Sequence, residues 1–486
     1  NVTLSSSNGK KGPNMKKIKL ILATLMAALF IGGKALAYDI TVTNGGSGTY
    51  ETYQIFTGDL SSDETTLSNI KWGDGITPAG QAALQAKYGV SSAAEVAEKL
   101  DANKENSGYA EEFAKVAAQY LQNAAGLTGH TAGYYLIQNK TVGSNEAYTN
   151  YILEVVKDVK VTPKTSIPSV TKKVKETNDT TGYVSKWQDY ADYDVKDKIP
   201  FQLTATLPAN LDSYESYYFE LADKLSPGLT YNGDATVYLV NGENQIDVTK
   251  YFKLDGLNFK IDNLKSLSKL TSSSKIVIEY NATLNENAVM GSAGNTGSVE
   301  LIYSNNPNNT GVGASTGKTP EKVVKVYTYE AIFEEVDKNK ESLKGAEFTL
   351  YKVVKDGDTY KKVEVDKKTV GETEKFSFKG LDAGKYILEE TKTPDGYNTI
   401  KPIEFKVVAN YDKKLDTPTE LSGESKDASF ESNLDAGSLT AEIISRKGSL
   451  LPSTGGMGTT ILYLVGSILV LVAVVLLITK KRMERN

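Results

Sequence analysis

Lys172, Asp223 and Asn305 are the side chains whose types and strand phase point to covalent chemistry. Ser169-Val170-Thr171-Lys172-Lys173-Val174-Lys175 alternates as a strand does, and a strand's side chains point to its two faces in turn. Lys172 therefore shares a face with Val170 and Val174, whereas Lys173 and Lys175 point to solvent. The same phase sets Asp223 beside Phe219 and Leu221, and Asn305 beside Val299, Leu301 and Tyr303. An amine, an acid and a carboxamide thus face inward from three strands. Burial disfavours the charged forms of the amine and the acid. A neutral amine can attack the Asn305 side-chain carbonyl while a protonated Asp223 polarises that carbonyl and helps ammonia leave. The expected product is an amide between Lys172 and Asn305. The plainer alternative for Lys172 is a strand-edge lysine that snorkels outward.

These residues sit in a chain of 486 residues, long enough for two to four domains. Net charge is -5, from 55 basic and 60 acidic residues that are interspersed, so nothing suggests a nucleic-acid partner. Cysteine is absent, which excludes disulfides and thiolate metal sites. The lone His130 lies in a Gly/Thr-rich turn with no second histidine to complete a metal or catalytic site. The sequence carries no nucleophile motif, no metal-ligand cluster and no phosphate loop followed by Lys-Ser/Thr, so neither an enzyme nor a cofactor is expected, beyond a single-turnover autocatalytic amide formation.

Both ends read as addresses. Residues 1–14 precede Met15 and are taken as an upstream extension. Lys16, Lys17 and Lys19 form a basic start, an apolar stretch follows, and Ala35-Leu36-Ala37 is an A-x-A cleavage site, so residues 15–37 form a signal peptide cut after Ala37. At the other end, residues 450–486 hold Leu451-Pro452-Ser453-Thr454-Gly455, an apolar run over 461–479 and a cluster of Lys480, Lys481 and Arg482. That run is about long enough to span a membrane, with the basic cluster on the cytoplasmic side.

Between them the pattern is mainly β. Residues 38–163 alternate as strands around Tyr50 to Phe56 and Gly133 to Ile137, with helical spacing at Ala93, Val96, Ala97 and Leu100, which predicts a β-sandwich with a helical insertion. Two prolines, Pro163 and Pro168, keep the following linker extended, and Lys164 within it offers an exposed amine. Residues 164–322 and 323–449 read as two further sandwiches of short strands with Gly/Asp turns.

Several motifs resemble one family. Leu451-Pro452-Ser453-Thr454-Gly455, the apolar span and the basic tail are similar to the sorting signal of Gram-positive surface proteins. Tyr50-x-x-Tyr53-Gln54-Ile55-Phe56-x-Gly58 resembles the first domain of sortase-assembled pilins. Pro168-x-x-x-Lys172, Asp223-x-x-Ser226-x-Gly228-Leu229-Thr230 and Tyr303-Ser304-Asn305-Asn306-Pro307 resemble the isopeptide-forming second domain. Tyr386-x-Leu388-x-Glu390-Thr391 resembles the E-box of the smaller C-terminal domain. The resemblance implies tandem immunoglobulin-like sandwiches of the collagen-adhesin A and B types.

It also implies a function, that of a pilus subunit, most simply the shaft, supporting adhesion. A pilin-type sortase would cleave between Thr454 and Gly455 and join Thr454 to a lysine of the next copy, and the final subunit to peptidoglycan. Val161-Thr162-Pro163-Lys164 matches the family's acceptor motif with Thr162 in place of tyrosine, which points to Lys164, with Lys157 and Lys160 as alternatives. Minor pilins and an unnamed host surface ligand are further implied partners, and a wall-anchored monomeric adhesin or a base or tip subunit is the alternative. The C-terminal domain departs from the pattern: Glu335 stands where the family has its lysine and Ser445 where it has its asparagine, so no amide is expected there.

Overall fold

The structure, a computed structural model, describes residues 37–43, 48–103, 106–148, 150–155, 157–161, 167–371, 375–412, 417–448, 463–471 and 473. The first domain is built on an antiparallel sheet in the order Leu67–Trp72, Tyr50–Leu60, Gly133–Asn139, Asn150–Val155. Helices Pro78–Tyr88, Ala93–Ala102 and Ser107–Ala117 lie between its second and third strands in sequence. The Thr77 side chain caps the first helix and Ser92 the second, each accepting from a backbone N–H that the helix cannot satisfy itself. The helices do more than decorate the sheet. Leu84, Val96 and Phe113 pack on Ile55, Phe56 and Leu136, so the layer opposite this face is helical. The other face, with Tyr135 and Ile137, meets Ile40 from a short parallel pair, Ile40–Val42 with Val159–Val161. His130 is buried against the Tyr135 ring, 4.7 Å away between centroids.

The second domain is a sandwich of two sheets. One contains Val170–Val174, Lys198–Ala205 and Lys275–Leu284; the other contains Phe219–Leu225, Asn295–Ser304 and Lys322–Tyr327. Leu203, Phe201, Leu221, Leu301 and Ile278 fill the space between them. Lys322–Tyr327 pairs with Asn295–Ser304, and its Val324 and Val326 pack in the second core while Tyr327 packs in the third. The third domain is again two-layered. Tyr329–Val336 lies between Lys375–Leu381 and the parallel Ser438–Ile444 in one sheet, and Glu347–Asp356, Gly384–Lys392 and Ile403–Asp412 form the centre of the other.

Neighbouring domains share hydrogen bonds. Tyr148 N–H donates to the Asn305 carbonyl and Lys318 N–H to that of Ser144, each at 2.6 Å, across the first junction. At the second, residues 176–195 reach onto the third domain: Asn178 Nδ2 donates to the Ala383 carbonyl at 2.8 Å and Val195 N–H to that of Gly380 at 3.0 Å.

Candidate functional site

Lys172 enters the second domain's core as its phase predicts. It pairs with Leu203, is 2% exposed, and its ammonium contacts the Asp223 carboxylate that comes from the opposite sheet. Nζ also donates to the Tyr280 hydroxyl at 2.8 Å, and that hydroxyl donates to Asp223 Oδ2 at 2.6 Å, closing a three-membered ring of hydrogen bonds. The Phe201 ring lies 5.1 Å from Nζ. Burial pulls the Lys172 amine below its ordinary range against the attraction of Asp223, and pushes the Asp223 carboxyl up. Amine and acid are therefore placed as the chemistry requires.

Asn305 is not. The register pairs Asp223 with Val299 and Leu225 with Gly297, whereas Asn305 follows the strand end at Ser304. Six residues of strand from Val299 to Asn305 span about 20 Å at roughly 3.3 Å per residue. Asn305 Oδ1 accepts from Ser315 Oγ at 2.8 Å, near the first-domain junction. The Lys172–Asn305 amide is thus corrected: the three residues share an interior but not a level along the strands. The position facing Lys172 is Gly297, where a Cβ would lie 2.9 Å from Nζ and 2.8 Å from Cε. Glycine presents no side-chain carbonyl to the amine. Asn295, two residues away on the same face, is engaged at both ends by the Val289 backbone and by the Val326 carbonyl.

The third domain holds the carboxyl and hydroxyl expected from its sequence. Glu335 is fully buried beside the parallel strand Ser438–Ile444, and its Oε1 accepts from Ser445 Oγ at 2.9 Å. Glu390 accepts from Ile400 N–H at 2.8 Å. Burial, and then the Glu335 charge, raise its carboxyl to about 6, and burial raises Glu335 as well.

The residues expected to join subunits fall elsewhere. Lys164 and Leu451, Pro452, Ser453, Thr454 and Gly455 lie outside the described residues. Lys157 and Lys160 are exposed, the latter on the strand Val159–Val161, and Ala37 is exposed at the start of the described chain. Residues 463–471 are helical, and among the described residues no helix is long and apolar enough to cross a membrane. Two features escaped the sequence reading. One is Gly297, visible only once the register is known. The other is a set of acids around Lys352 at the second junction, hinted at by the spacing of Glu176, Asp179, Asp192 and Asp194.

Residues 330–420 match the family described as SpaA, a prealbumin-like fold domain, which covers most of the third domain. The trypsin-resistant surface T6 protein of Streptococcus pyogenes serotype M6 is 25% identical over 429 residues, spanning 81% of this chain and 75% of the relative. The solved T6 backbone pilin of that serotype, a modular three-domain structure, superposes with a TM-score of 0.54 at 19% identity, covering 85% of this chain and 98% of the other. The full-length major pilin SpaD of Corynebacterium diphtheriae gives 0.47 at 16% identity, over 85% and 97% of the two chains. This chain is a homologue of a Gram-positive surface protein and has the three-domain fold of a backbone pilin.

Proposed function

We infer that this chain is the backbone structural subunit of a Gram-positive surface pilus, polymerised by a pilin-type sortase. The observation that carries the reading is homology to the T6 surface protein through most of the chain, together with a fold shared over three consecutive domains. In the reaction, the peptide bond between Thr454 and Gly455 breaks, the Gly455 amine leaves, and the Thr454 carbonyl passes through the sortase to the Lys164 amine of another copy. One acceptor and one donor per chain are what linear growth requires. Transfer of the last subunit to peptidoglycan would anchor the fibre at the cell surface, with minor pilins at its ends and a host surface as the target of adhesion. The chain's own role in this is that of substrate and building unit.

Co-expression with a pilin-type sortase is expected to give a ladder of covalent multimers on a denaturing gel. Lys164→Ala should abolish the ladder, while Lys157→Ala and Lys160→Ala leave it intact. A ladder that survives Lys164→Ala moves the acceptor to another lysine. Monomer alone on the wall would instead identify an anchored adhesin or a terminal subunit.

A further inference from the structure

The junction between the second and third domains buries more negative charge than its lysine can balance. Lys352, 3% exposed, contacts Asp194, Asp179 Oδ2 at 3.1 Å and Asp382 Oδ2 at 3.2 Å. Beside this group lies a second one formed by Glu176, Asp192 and again Asp382, with one carboxylate oxygen from each within 4.8 Å of the others. Glu176 and Asp192 come from the second domain and Asp382 from the third, immediately after the strand Lys375–Leu381.

Part of this second group is already engaged. Glu176 Oε2 accepts from Asp192 N–H at 2.7 Å, and Asp192 Oδ2 from Ala383 N–H at 3.1 Å. Asp382 is completely buried, yet its Oδ1 has no hydrogen-bond partner among the described residues, and neither has Glu176 Oε1. Buried carboxylate oxygens without a donor are costly, and both of these belong to carboxylates that gather within 4.8 Å of one another.

We propose that Glu176, Asp192 and Asp382 bind a calcium ion that bridges the second and third domains. Lys352 serves as the built-in cation of the neighbouring group, and the ion supplies the missing one. All three ligands are hard oxygen donors, which suit calcium or magnesium better than a transition metal. Their origin on separate segments of two domains gives an irregular set, which calcium tolerates and magnesium, with its strict octahedron, does not. Burial lifts Glu176, Asp192 and Asp382 alike, and repulsion from Asp192 adds to the rise of Glu176 and of Asp382, the behaviour of a carboxylate group short of a cation.

The test uses residues 38–450, the segment expected to be exported (the exported segment), after treatment with a chelator. Titration calorimetry with calcium chloride is expected to give one site with a Kd of roughly 10⁻⁴–10⁻³ M, and calcium should raise the thermal midpoint. Asp382→Asn and Glu176→Gln, confirmed as folded by circular dichroism, should each weaken binding by at least about tenfold, as expected when ligand charge is removed. The exposed control Asp262→Asn should leave it unchanged. Terbium luminescence sensitised by the nearby tyrosines, competed away by calcium, provides a readout on the unsubstituted protein should the variants not fold. Absence of calcium binding at millimolar concentration overturns the proposal, leaving protons alone to close the cluster. Magnesium binding as tight as calcium would overturn the choice of ion.

Discussion

Lys172 and Asp223 form a buried ion pair in which each charge depends on the other. Asp223→Ala leaves the ammonium beside the Tyr280 hydroxyl and the Phe201 ring without a counter-charge, and is expected to destabilise the second domain by about 3–5 kcal/mol in urea unfolding. Lys172→Met combined with Asp223→Leu should cost less than either single change, because no charge is then left unpaired; a double variant as unstable as the sum would refute this. Gly297 makes the pair chemically idle. Gly297→Asn sets a carboxamide against Nζ, with a flexible lysine end able to give way, and its intact mass is expected to fall about 17 Da below the sequence value through loss of ammonia. Adding Asp223→Ala should remove that shift, while the unsubstituted exported segment shows none. Which side chains face inward was legible from alternation alone, and Lys172, Asp223 and Asn305 are all buried. Their level along the strands was not, because register depends on which residues pair across the sheet, and period-two alternation is blind to a slip of an even number of residues.

The same contrast holds for whole strands and for the contacts between them. Glu335 was readable as a departure from a motif and Glu390 as a match to one, and the two now define a titratable interior beneath the strands Tyr329–Val336 and Gly384–Lys392. The folded Glu390 carboxyl titrates at about 6, above its ordinary 4.5, so the folded form holds the proton more tightly. Its stabilising contribution is complete below the ordinary value and is lost as pH rises through 6. Thermal melts should therefore show the exported segment gaining stability between pH 7 and pH 5, and Glu390→Gln should flatten that gain by on the order of 1 kcal/mol. An unchanged slope would mean that the side chain is effectively solvated. Elsewhere, two loops meet so closely that only glycine fits. Gly291 has φ +80° and a Cβ there would lie 2.3 Å from the Asp435 carbonyl oxygen, across the junction of the second and third domains. Gly291→Ala combines a strained backbone with a clash and should speed hydrogen exchange at that junction while the strands within each domain stay protected. Nothing in the local sequence marks Gly291 as such a contact, because its partner lies more than a hundred residues away.

At the scale of the molecule, the mainly β architecture and its division into successive domains followed from short alternating strands and turn residues. The docking between domains did not. Residues 176–195 belong to the second domain by chain order yet bond to the third, and such a bridge has no period or motif to reveal it. The third domain's topology has a mechanical consequence. Tyr329–Val336, its first strand, runs parallel to and directly beside Ser438–Ile444, its last, paired from Glu330 with Ser438 to Val336 with Ile444. Tension along a fibre pulls the start of the first strand and the end of the last in opposite directions. That geometry loads the ladder in shear, so its hydrogen bonds must yield together instead of opening one by one as in a zipper. A domain with no covalent tie between Glu335 and Ser445 thus still has a clamp at the place where force enters and leaves it.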